Sequence, residues 1–504
     1  MARQQITIGC QMVPSGCTGS GPNYNVTYLT KWDQIGNDID AEASGDQSGT
    51  SVSLSSDGTI VAIGARYNDG TDTNAGHVRV YEYNGSSWVQ RGSDIDGEAA
   101  NDSSGRSVSL SEDGSIVAVG AVWNDDGGTD AGHVRVYEWN GGTSAWNQKG
   151  GDIDGEAAGD KSGYSVSLSS DGNIVAIGAP YNGGTGSEAG HVRVYKYNAG
   201  SWSQQHSDID GEAAGDRSGT SVSLSSDGSI VAIGAPLNDG VPFAAGHVRV
   251  YEDSGSAWSQ IFSDIDGGTA GDQSGTSVSL SDDGTVVAIG SPGRDAGHVR
   301  VYENNGSAWV QKGGDIDGEA NLDRSGFSVS LSSDGDVVAI GAYANGSNGH
   351  VRIYKYSGGS WVQKGDDIDG EAAGDQSGYS VSLSSDGSIV AIGAPDNDGT
   401  GTDAGHVRLY EYCSINKIQV GDWVYVNHEE AGNDGNILSV YTYQVTAIVD
   451  ANTLTLKFIS ATNSYGDDSP CDLCDGTGTS ATCGGIAPHT FKRDLGSPYI
   501  IFVE

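Results

Sequence analysis

Short hydrophobic runs, separated by turns rich in Gly, Asn, Asp and Ser, recur along most of the chain. One copy reads SVSLS (165–169), IVAIGA (174–179) and HVRVYKY (191–197), and a fourth run begins at Trp202. A Ser-Asp-Gly turn joins the first two runs and supplies glycine where a tight hairpin needs positive φ. No stretch has the period of an amphipathic helix, so each copy predicts four short antiparallel strands.

This unit occurs seven times, and the histidine of a GHVR motif marks each copy. The spacings between successive histidines are 56, 58, 56, 51, 52 and 56 residues. A period of this size belongs to architectures whose units bury their faces against their neighbours. Seven four-stranded units predict an all-β fold, a seven-bladed β-propeller, with a linear β-solenoid as the alternative. The histidines are His77, His133, His191, His247, His298, His350 and His406.

The tryptophans of the fourth run predict how the ring closes. Trp32 precedes the first SVSLS run, whereas no such tryptophan follows His406. The last blade is therefore expected to take its fourth strand from residues 30–36, which joins the two ends of the ring and removes an open sheet edge.

The run SGYSVSLSSDGNIVAIGAP (162–180) resembles the FG-GAP repeat of integrin α-chain propellers. Its Gly before the first strand and its Gly-Ala-Pro after the second stand where that family's motif stands, and the resemblance covers roughly residues 30–412. It departs at the family's calcium loop, which here has shrunk to SSDG, SEDG or SDDG. So few ligands cannot surround a calcium ion, so calcium is not expected at that hairpin.

Composition divides the chain into three segments and limits its partners. We predict an N-terminal arm (1–29), the propeller (30–412) and a small C-terminal β-barrel or sandwich (413–504) that resembles the small barrels of phage structural proteins. The net charge is −42, with 67 acidic against 25 basic residues. Such a charge repels nucleic acid and anionic membranes. The first residues lack the apolar core of a signal peptide, and no 18-residue apolar run exists, so no membrane insertion is expected.

Cysteines in the two end segments are candidate metal ligands. Cys471 and Cys474 have the Cys-x2-Cys spacing of zinc sites, Cys483 follows them, and the arm offers Cys10 or Cys17. A zinc site and disulfides are both consistent with these cysteines, and Cys413 has no evident partner.

The loops between the second and third runs differ most among copies, and such variation on a constant scaffold is typical of recognition surfaces. The loops between blades are expected on the same face. We therefore predict ligand contacts at one group of residues: Tyr67, Trp123, Tyr181, Leu237, Phe243, Arg294, Tyr343 and Asp396.

The loops between blades are acidic, as in DIDGEAAGD (152–160). Asp152, Asp154, Glu156 and Asp160 are candidate calcium ligands. The same carboxylates serve equally well as turn caps that accept backbone N–H bonds, and this is the interpretation we favour. The fifth copy departs here, because Gly268 replaces the glutamate.

Repetition argues against catalysis by the histidines. A residue placed identically in every blade is expected to pack blades, whereas an active site is one asymmetric constellation. No nucleophile–base set or phosphate loop is evident, so we predict that the chain is not an enzyme.

The expected function is that of a virion appendage: a phage fibre, tail or capsid-decorating protein. Its arm and C-terminal segment would contact other virion proteins, and its loop face a host-surface protein or glycan. The alternative is an extracellular adhesion protein of FG-GAP type. A homo-oligomer is left open.

Overall fold

The computed structural model describes residues 31–239 and 244–412 with their side chains, together with the backbone of several strands outside them. It divides the chain into two compact units, Ile35–Glu411 and Met1–Gln34 with Tyr412–Glu504. Phe243, Cys10, Cys17, Cys471, Cys474 and Cys483 lie outside the described residues, so the zinc and disulfide predictions stay predictions. The described strands of residues 31–413 form seven antiparallel sheets, which confirms the seven-bladed propeller.

The strands of each blade follow one another from the first strand outwards. First strands are Ser48–Leu54, Ser104–Leu110, Ser165–Leu168, Ser221–Leu224, Ser277–Leu280, Ser328–Leu331 and Ser380–Leu383. Second strands are Ile60–Ala65, Ile116–Ala121, Ile174–Ala179, Ile230–Ala235, Val286–Ser291, Val337–Ala342 and Ile389–Ala394. Third strands are His77–Tyr83, His133–Asn140, His191–Asn198, His247–Asp253, His298–Asn304, His350–Ser357 and His406–Cys413. Fourth strands are Trp88–Gln90, Ala145–Gln148, Ser201–Gln204, Trp258–Gln260, Trp309–Gln311, Ser360–Gln363 and, for the last blade, Lys31–Gln34.

Each blade also has a fifth, two-residue strand that the sequence did not predict. It is the Ile-Asp pair of the acidic loop, and it pairs with the start of the third strand, as in His191↔Asp210 and Val192↔Ile209. These pairs are Ile39–Asp40, Ile95–Asp96, Ile153–Asp154, Ile209–Asp210, Ile265–Asp266, Ile316–Asp317 and Ile368–Asp369. The outer edge of each blade is therefore divided between two short strands.

The hydrophobic core lies between blades, because the second strands are buried on both faces. One cluster joins Ile174 and Val192 of one blade to Val222 and Val231 of the next. Burial of such side chains from water is the main stabilising term of the ring.

Two glycines explain the motif shared with FG-GAP repeats. A Cβ on Gly178, in the second strand, would lie 2.1 Å from the carbonyl oxygen of Gly219, the glycine before the first strand of the next blade. The corresponding glycines of the other blades approach each other as closely. The motif thus marks the place where the backbones of neighbouring blades touch.

Serines of the first strands form hydrogen bonds between neighbouring blades. Ser165 Oγ donates to Gly219 O at 2.9 Å, and Ser167 Oγ accepts from Leu224 N at 3.0 Å. Both bonds recur at the junction of the last and first blades, where Ser380 Oγ donates to Gly49 O and Ser382 Oγ accepts from Leu54 N. The hairpin turns form a further ring of backbone bonds, which closes where Ser385 N donates to Ser56 O at 2.8 Å. The closed ring predicted from Trp32 is therefore confirmed.

A six-stranded antiparallel sheet comes from the two ends of the chain. Its order along the sheet is Gln5–Ile6, Ile501–Phe502, Asn23–Tyr28, Thr453–Asn463, Leu438–Asp450 and Trp423–Glu429. Part of the predicted arm thus shares a sheet with the C-terminal segment, while the domain boundaries at 29 and 412 stay predictions. Among the described residues, no helix is long and apolar enough to span a membrane.

Candidate ligand-binding site at the channel mouth

The first strands of the seven blades surround the central channel and begin on the face that carries the long loops. Two positions at this start differ from blade to blade: the residue after the Ser-Gly pair and the residue before it. The residue before it has positive φ in every blade, 55° at Lys161 and 56° at Arg217. This backbone conformation is uncommon for non-glycine residues. These two positions form the rim of the channel, which we call the channel mouth.

One side of the channel mouth alternates cations and aromatic rings. Lys161 Nζ lies 3.9 Å from the ring centre of Trp123 and 4.1 Å from that of Tyr181. Arg217 Cζ lies 4.7 Å from the ring centre of Tyr181. Arg66 Cζ lies 4.6 Å above the ring of Tyr67. The rings hold these cations in place through their negative faces.

Arg106 lies among tyrosines of three blades. Its Cζ is 4.4 Å from the ring centre of Tyr164. Burial alone would lower the pKa of Arg106, but Tyr164, Tyr379 and Tyr67 raise it above its ordinary value. The guanidinium therefore stays charged in a partly buried place at the channel mouth.

The opposite side is apolar. Phe327, Tyr343 and Tyr379 form a cluster with ring centres 4.6, 4.9 and 5.8 Å apart. Aromatic pairs at this spacing have the tilted and edge-to-face geometry that rings prefer. The mouth thus presents a cationic side and an aromatic side.

A carboxylate joins the two sides. Asp396 accepts from Gln47 Nε2 at 3.0 Å and from Gln376 Nε2, and Gln47 Oε1 in turn accepts from Arg66 at 2.7 Å. Burial raises the pKa of Asp396, and Asp403 raises it further.

A cavity of about 160 Å³ opens beside the cationic side. Tyr164, Tyr181 and Arg217 line it with Thr220, Gln273 and Thr276 of neighbouring blades, and so does Leu237. The lining combines ring faces, hydroxyl and amide groups, and one cation, which is the chemistry of a site for a polar organic ligand.

Most residues predicted as ligand contacts are brought to this site. Tyr67 and Trp123 are 36% and 38% exposed, Tyr181 and Leu237 line the cavity, and Tyr343 and Asp396 take part in the contacts above. Arg294 is exposed and pairs with its neighbour Asp295 at 3.3 Å. The sequence analysis missed the rim positions, above all Arg106, Lys161 and Arg217. Comparing the seven copies immediately around the Ser-Gly pair would have found them.

The four carboxylates grouped for calcium are divided between different neighbourhoods. Asp152 Oδ1 accepts from Gln148 at 2.5 Å, and Glu156 approaches Arg193 at 3.6 Å. Asp160 is buried and caps a turn, accepting from Ala157 N and from the side chain of Asn182. Asp154 belongs to a fifth strand. Calcium at this group stays a prediction, whereas Asp160 has the turn-cap role.

The seven GHVR histidines lie on the same face, at the start of the third strands, and are buried or nearly so. Burial lowers the pKa of each, and the arginine two residues later lowers it further, in His77 to about 4. Six of the seven arginines donate to backbone carbonyls of the acidic loops, as Arg193 does to Asp154 O at 2.7 Å. The packing role predicted for the repeated histidines stays a prediction.

Comparison with known proteins supports the repeat and the fold. Residues 94–137 match the model of the FG-GAP repeat, so the predicted resemblance is confirmed. No curated protein matches the chain significantly. The resemblance of the C-terminal segment to small phage barrels stays a prediction.

Several solved structures are similar to this chain at low sequence identity. A protein of Bacteroides uniformis assigned as a 6-phosphogluconolactonase is 12% identical, with a TM-score of 0.48 over 70% of this chain and 98% of its own. The periplasmic gluconolactonase PpgL of Pseudomonas aeruginosa is 15% identical, with a TM-score of 0.46 over 70% of this chain and 98% of its own. Raptor of Chaetomium thermophilum is 13% identical, with a TM-score of 0.50 over 77% of this chain and 29% of its own.

These neighbours correct one prediction. The chain was predicted not to be an enzyme because its histidines are placed alike in every blade and no catalytic set is evident, but the solved structures similar to it include proteins named as lactonases. The prediction is therefore withdrawn. The likeness itself shows the fold alone and assigns no activity.

Proposed function

We propose that the propeller is a recognition domain that binds an acidic glycan at the channel mouth. The observation that carries this proposal is the break in sevenfold symmetry. The glycines and serines that join the blades repeat around the ring, whereas the mouth gathers rings and cations that differ from blade to blade.

The chemistry of the mouth fits a charged sugar. Trp123 and Tyr67, which are 38% and 36% exposed, offer ring surface on which the apolar face of a pyranose can pack. Lys161 offers charge-assisted hydrogen bonds to a carboxylate or sulfate group. Arg217 donates to Glu188 at 2.9 and 3.2 Å, and we infer that a carboxylate or sulfate of the ligand takes the place of Glu188. The hydroxyl groups of Thr220 and Thr276 add polar partners beside the cavity.

The distribution of charge supports an acidic ligand at the mouth. The chain has a net charge of −42, so most of its surface repels a polyanion. Four cations gather at the channel mouth: Arg66, Arg106, Lys161 and Arg217. A polyanion is therefore expected to bind here and to bind more weakly as salt screens the attraction.

The test is a titration with three ligands at low and moderate salt: a hexuronate oligosaccharide, a neutral oligosaccharide of equal length and a polyglutamate peptide. We expect binding of the hexuronate only. Lys161→Gln and Arg217→Gln should each weaken it roughly tenfold, because each removes one charge-assisted hydrogen bond. Lys196→Gln is the matched control, since Lys196 is exposed on a third strand away from the mouth.

Two results would overturn the proposal. One is hexuronate binding that is unchanged in both mouth variants. The other is equal binding of polyglutamate, which would show that charge alone attracts the ligand and that the mouth recognises an acidic peptide as well.

We further propose that this recognition domain belongs to a virion appendage, with an extracellular adhesion protein as the alternative. The support is the resemblance of the C-terminal segment to phage barrels and the acidic propeller. Mass spectrometry of density-purified particles and of particle-free medium distinguishes the two. Recovery only in the medium or on cell surfaces would contradict the virion hypothesis.

A further inference from the structure

A second constellation, outside the channel mouth, recurs around the ring at the start of the third strands. His77 is 1% exposed, and neither ring nitrogen has a hydrogen-bond partner. Its Nδ1 faces two carboxylates, Asp94 Oδ2 at 3.7 Å and Glu42 Oε2 at 3.9 Å. These distances are too long for hydrogen bonds. Three donor atoms thus face a common point without bonding to one another.

We propose that six of the seven blades bind a divalent transition-metal ion, held by a histidine Nδ1 and by carboxylates from two successive acidic loops. The groups contain His77, His133, His191, His247, His350 and His406. In the groups of five of these histidines the donor atoms lie within 4.8 Å of one another: His77, His133, His191, His247 and His406. An ion equidistant from three donors so spaced lies at most about 2.8 Å from each, so the side chains need to close by only a few tenths of an ångström to reach the length of metal–oxygen bonds.

The carboxylates are held as ligands usually are. In five of the six groups the second oxygen of the aspartate accepts from a glutamine four residues earlier, as Asp208 Oδ1 does from Gln204 at 2.6 Å. The second oxygen of the glutamate faces the arginine that follows the histidine on the third strand, as Glu98 Oε1 faces Arg135 at 3.2 Å. Such outer partners orient metal ligands and leave one oxygen of each carboxylate for the ion.

The second blade has the fullest set. His133, with both ring nitrogens unpartnered and 1% exposed, is joined by Glu98, Asp152 and Asp126. One imidazole with several carboxylates suits manganese and its neighbours better than the soft ions that thiolates select. Mn²⁺ is therefore the appropriate probe, because it discriminates against the cysteines elsewhere in the chain.

The fifth blade is a natural control. Gly268 stands where the other blades have the glutamate, and Arg300 has turned to Asp315, donating to its two oxygens at 3.1 and 2.9 Å. Arg300 thereby occupies both oxygens of Asp315. His298 therefore lacks the two carboxylates, one from each neighbouring loop, that the other histidines face. A Cβ at Gly268 would lie 3.0 Å from Arg300 Nη1, the movable end of a side chain. Gly268→Glu can thus rebuild the missing group.

The experiment counts Mn²⁺ ions bound to the full chain by electron paramagnetic resonance, and detects imidazole ligation by the coupling to a ¹⁴N nucleus. We expect six ions with this coupling in the natural protein, five in His133→Gln and seven in Gly268→Glu. His298→Gln should leave the number at six. Glu98→Gln, at a half-exposed position, should also bind five ions, or six with one bound more weakly. This variant serves as the test if the buried histidine variant fails to fold.

Two results overturn the proposal. One is bound manganese without nitrogen coupling, which would show that acidic surface residues alone attract the ion. The other is a count that stays the same in folded His133→Gln, Glu98→Gln and Gly268→Glu variants. Channel-mouth variants that lose glycan binding should bind the same number of Mn²⁺ ions as the natural protein. The outcome of this test is therefore independent of the proposed function.

Discussion

Substituting Gly178 by alanine tests whether the glycine pair fixes the distance between blades. The added Cβ would lie 2.1 Å from Gly219 O and 2.4 Å from Ser165 Oγ. The first obstacle is backbone of the next blade and cannot rotate away. Neighbouring blades must therefore separate by about 1 Å, since a Cβ is essentially never found within 3.0 Å of such an atom.

The expected cost follows from two contributions. Overpacking a close-packed interior costs about 1–3 kcal/mol, and an immovable obstacle places this site at the upper end. The hydrogen bond from Ser165 to Gly219 spans the same gap, and its loss adds about 1 kcal/mol. We expect Gly178→Ala to lower the free energy of unfolding by roughly 3 kcal/mol or more.

Guanidinium unfolding followed by tryptophan fluorescence measures this loss, with Gly183→Ala as the matched control. Gly183 lies in an exposed loop, has no positive φ, and an added Cβ would meet nothing within 4 Å. Its variant should therefore unfold within about 0.5 kcal/mol of the natural protein. Equal stability of the two variants would refute the reasoning that the glycine pair sets the blade spacing.

Two further predictions concern pH and ring closure. Because the pKa of His77 falls from 6.5 unfolded to about 4 folded, its contribution, on the order of 3 kcal/mol, should be present above pH 6.5 and be lost as the pH falls towards 4. Unfolding midpoints measured across this range with a chelator present should fall with acidity, and a flat profile would contradict the burial of a neutral imidazole. Ser382→Ala removes the acceptor for Leu54 N at the seam, and Ser167→Ala removes the equivalent acceptor for Leu224 N inside the chain. Both should cost about 1 kcal/mol in the same unfolding assay, whereas no cost at Ser382 alone would show that the ring is open.

The blade count and the closure were predictable because they depend on contacts that every copy repeats. The serines of SVSLS and the glycine of Gly-Ala-Pro each contact the neighbouring blade, as Ser165 and Gly178 show. A residue that performs the same contact in every blade has to recur at the same place in every repeat. Repetition in the sequence therefore reports directly on blade-to-blade packing.

The fifth strand could not be predicted from the same evidence. It consists of two residues, such as Ile209–Asp210, within a loop that looks acidic and irregular. It pairs with His191 and Val192, which lie well before it in the sequence. A stretch of two residues is also too short to show a hydrophobic period. The same pairing explains why the isoleucine of each acidic loop is buried.

The candidate site was predicted in part. Loop variation selected Tyr67, Trp123 and Tyr181, which the fold brings to the channel mouth, and their contact with a ligand stays a prediction. It missed Lys161 and Arg217, because each is a single variable residue beside a constant Ser-Gly pair. Their positive φ is a property of the folded turn, and lysine and arginine are not residue types from which a positive φ would be predicted.

The propeller geometry explains why the variable residues form one site although they are about 56 residues apart. First strands begin around the central channel, so one position in each repeat becomes a neighbour of the same position in the next. Lys161 of one blade and Arg217 of the following blade thus face the same ring of Tyr181. The glycines and serines that join these blades lie at other positions of the repeat. A substitution at the rim therefore changes the charge and shape of the mouth without disturbing the contacts between blades, and this separation lets one constant ring carry different binding sites.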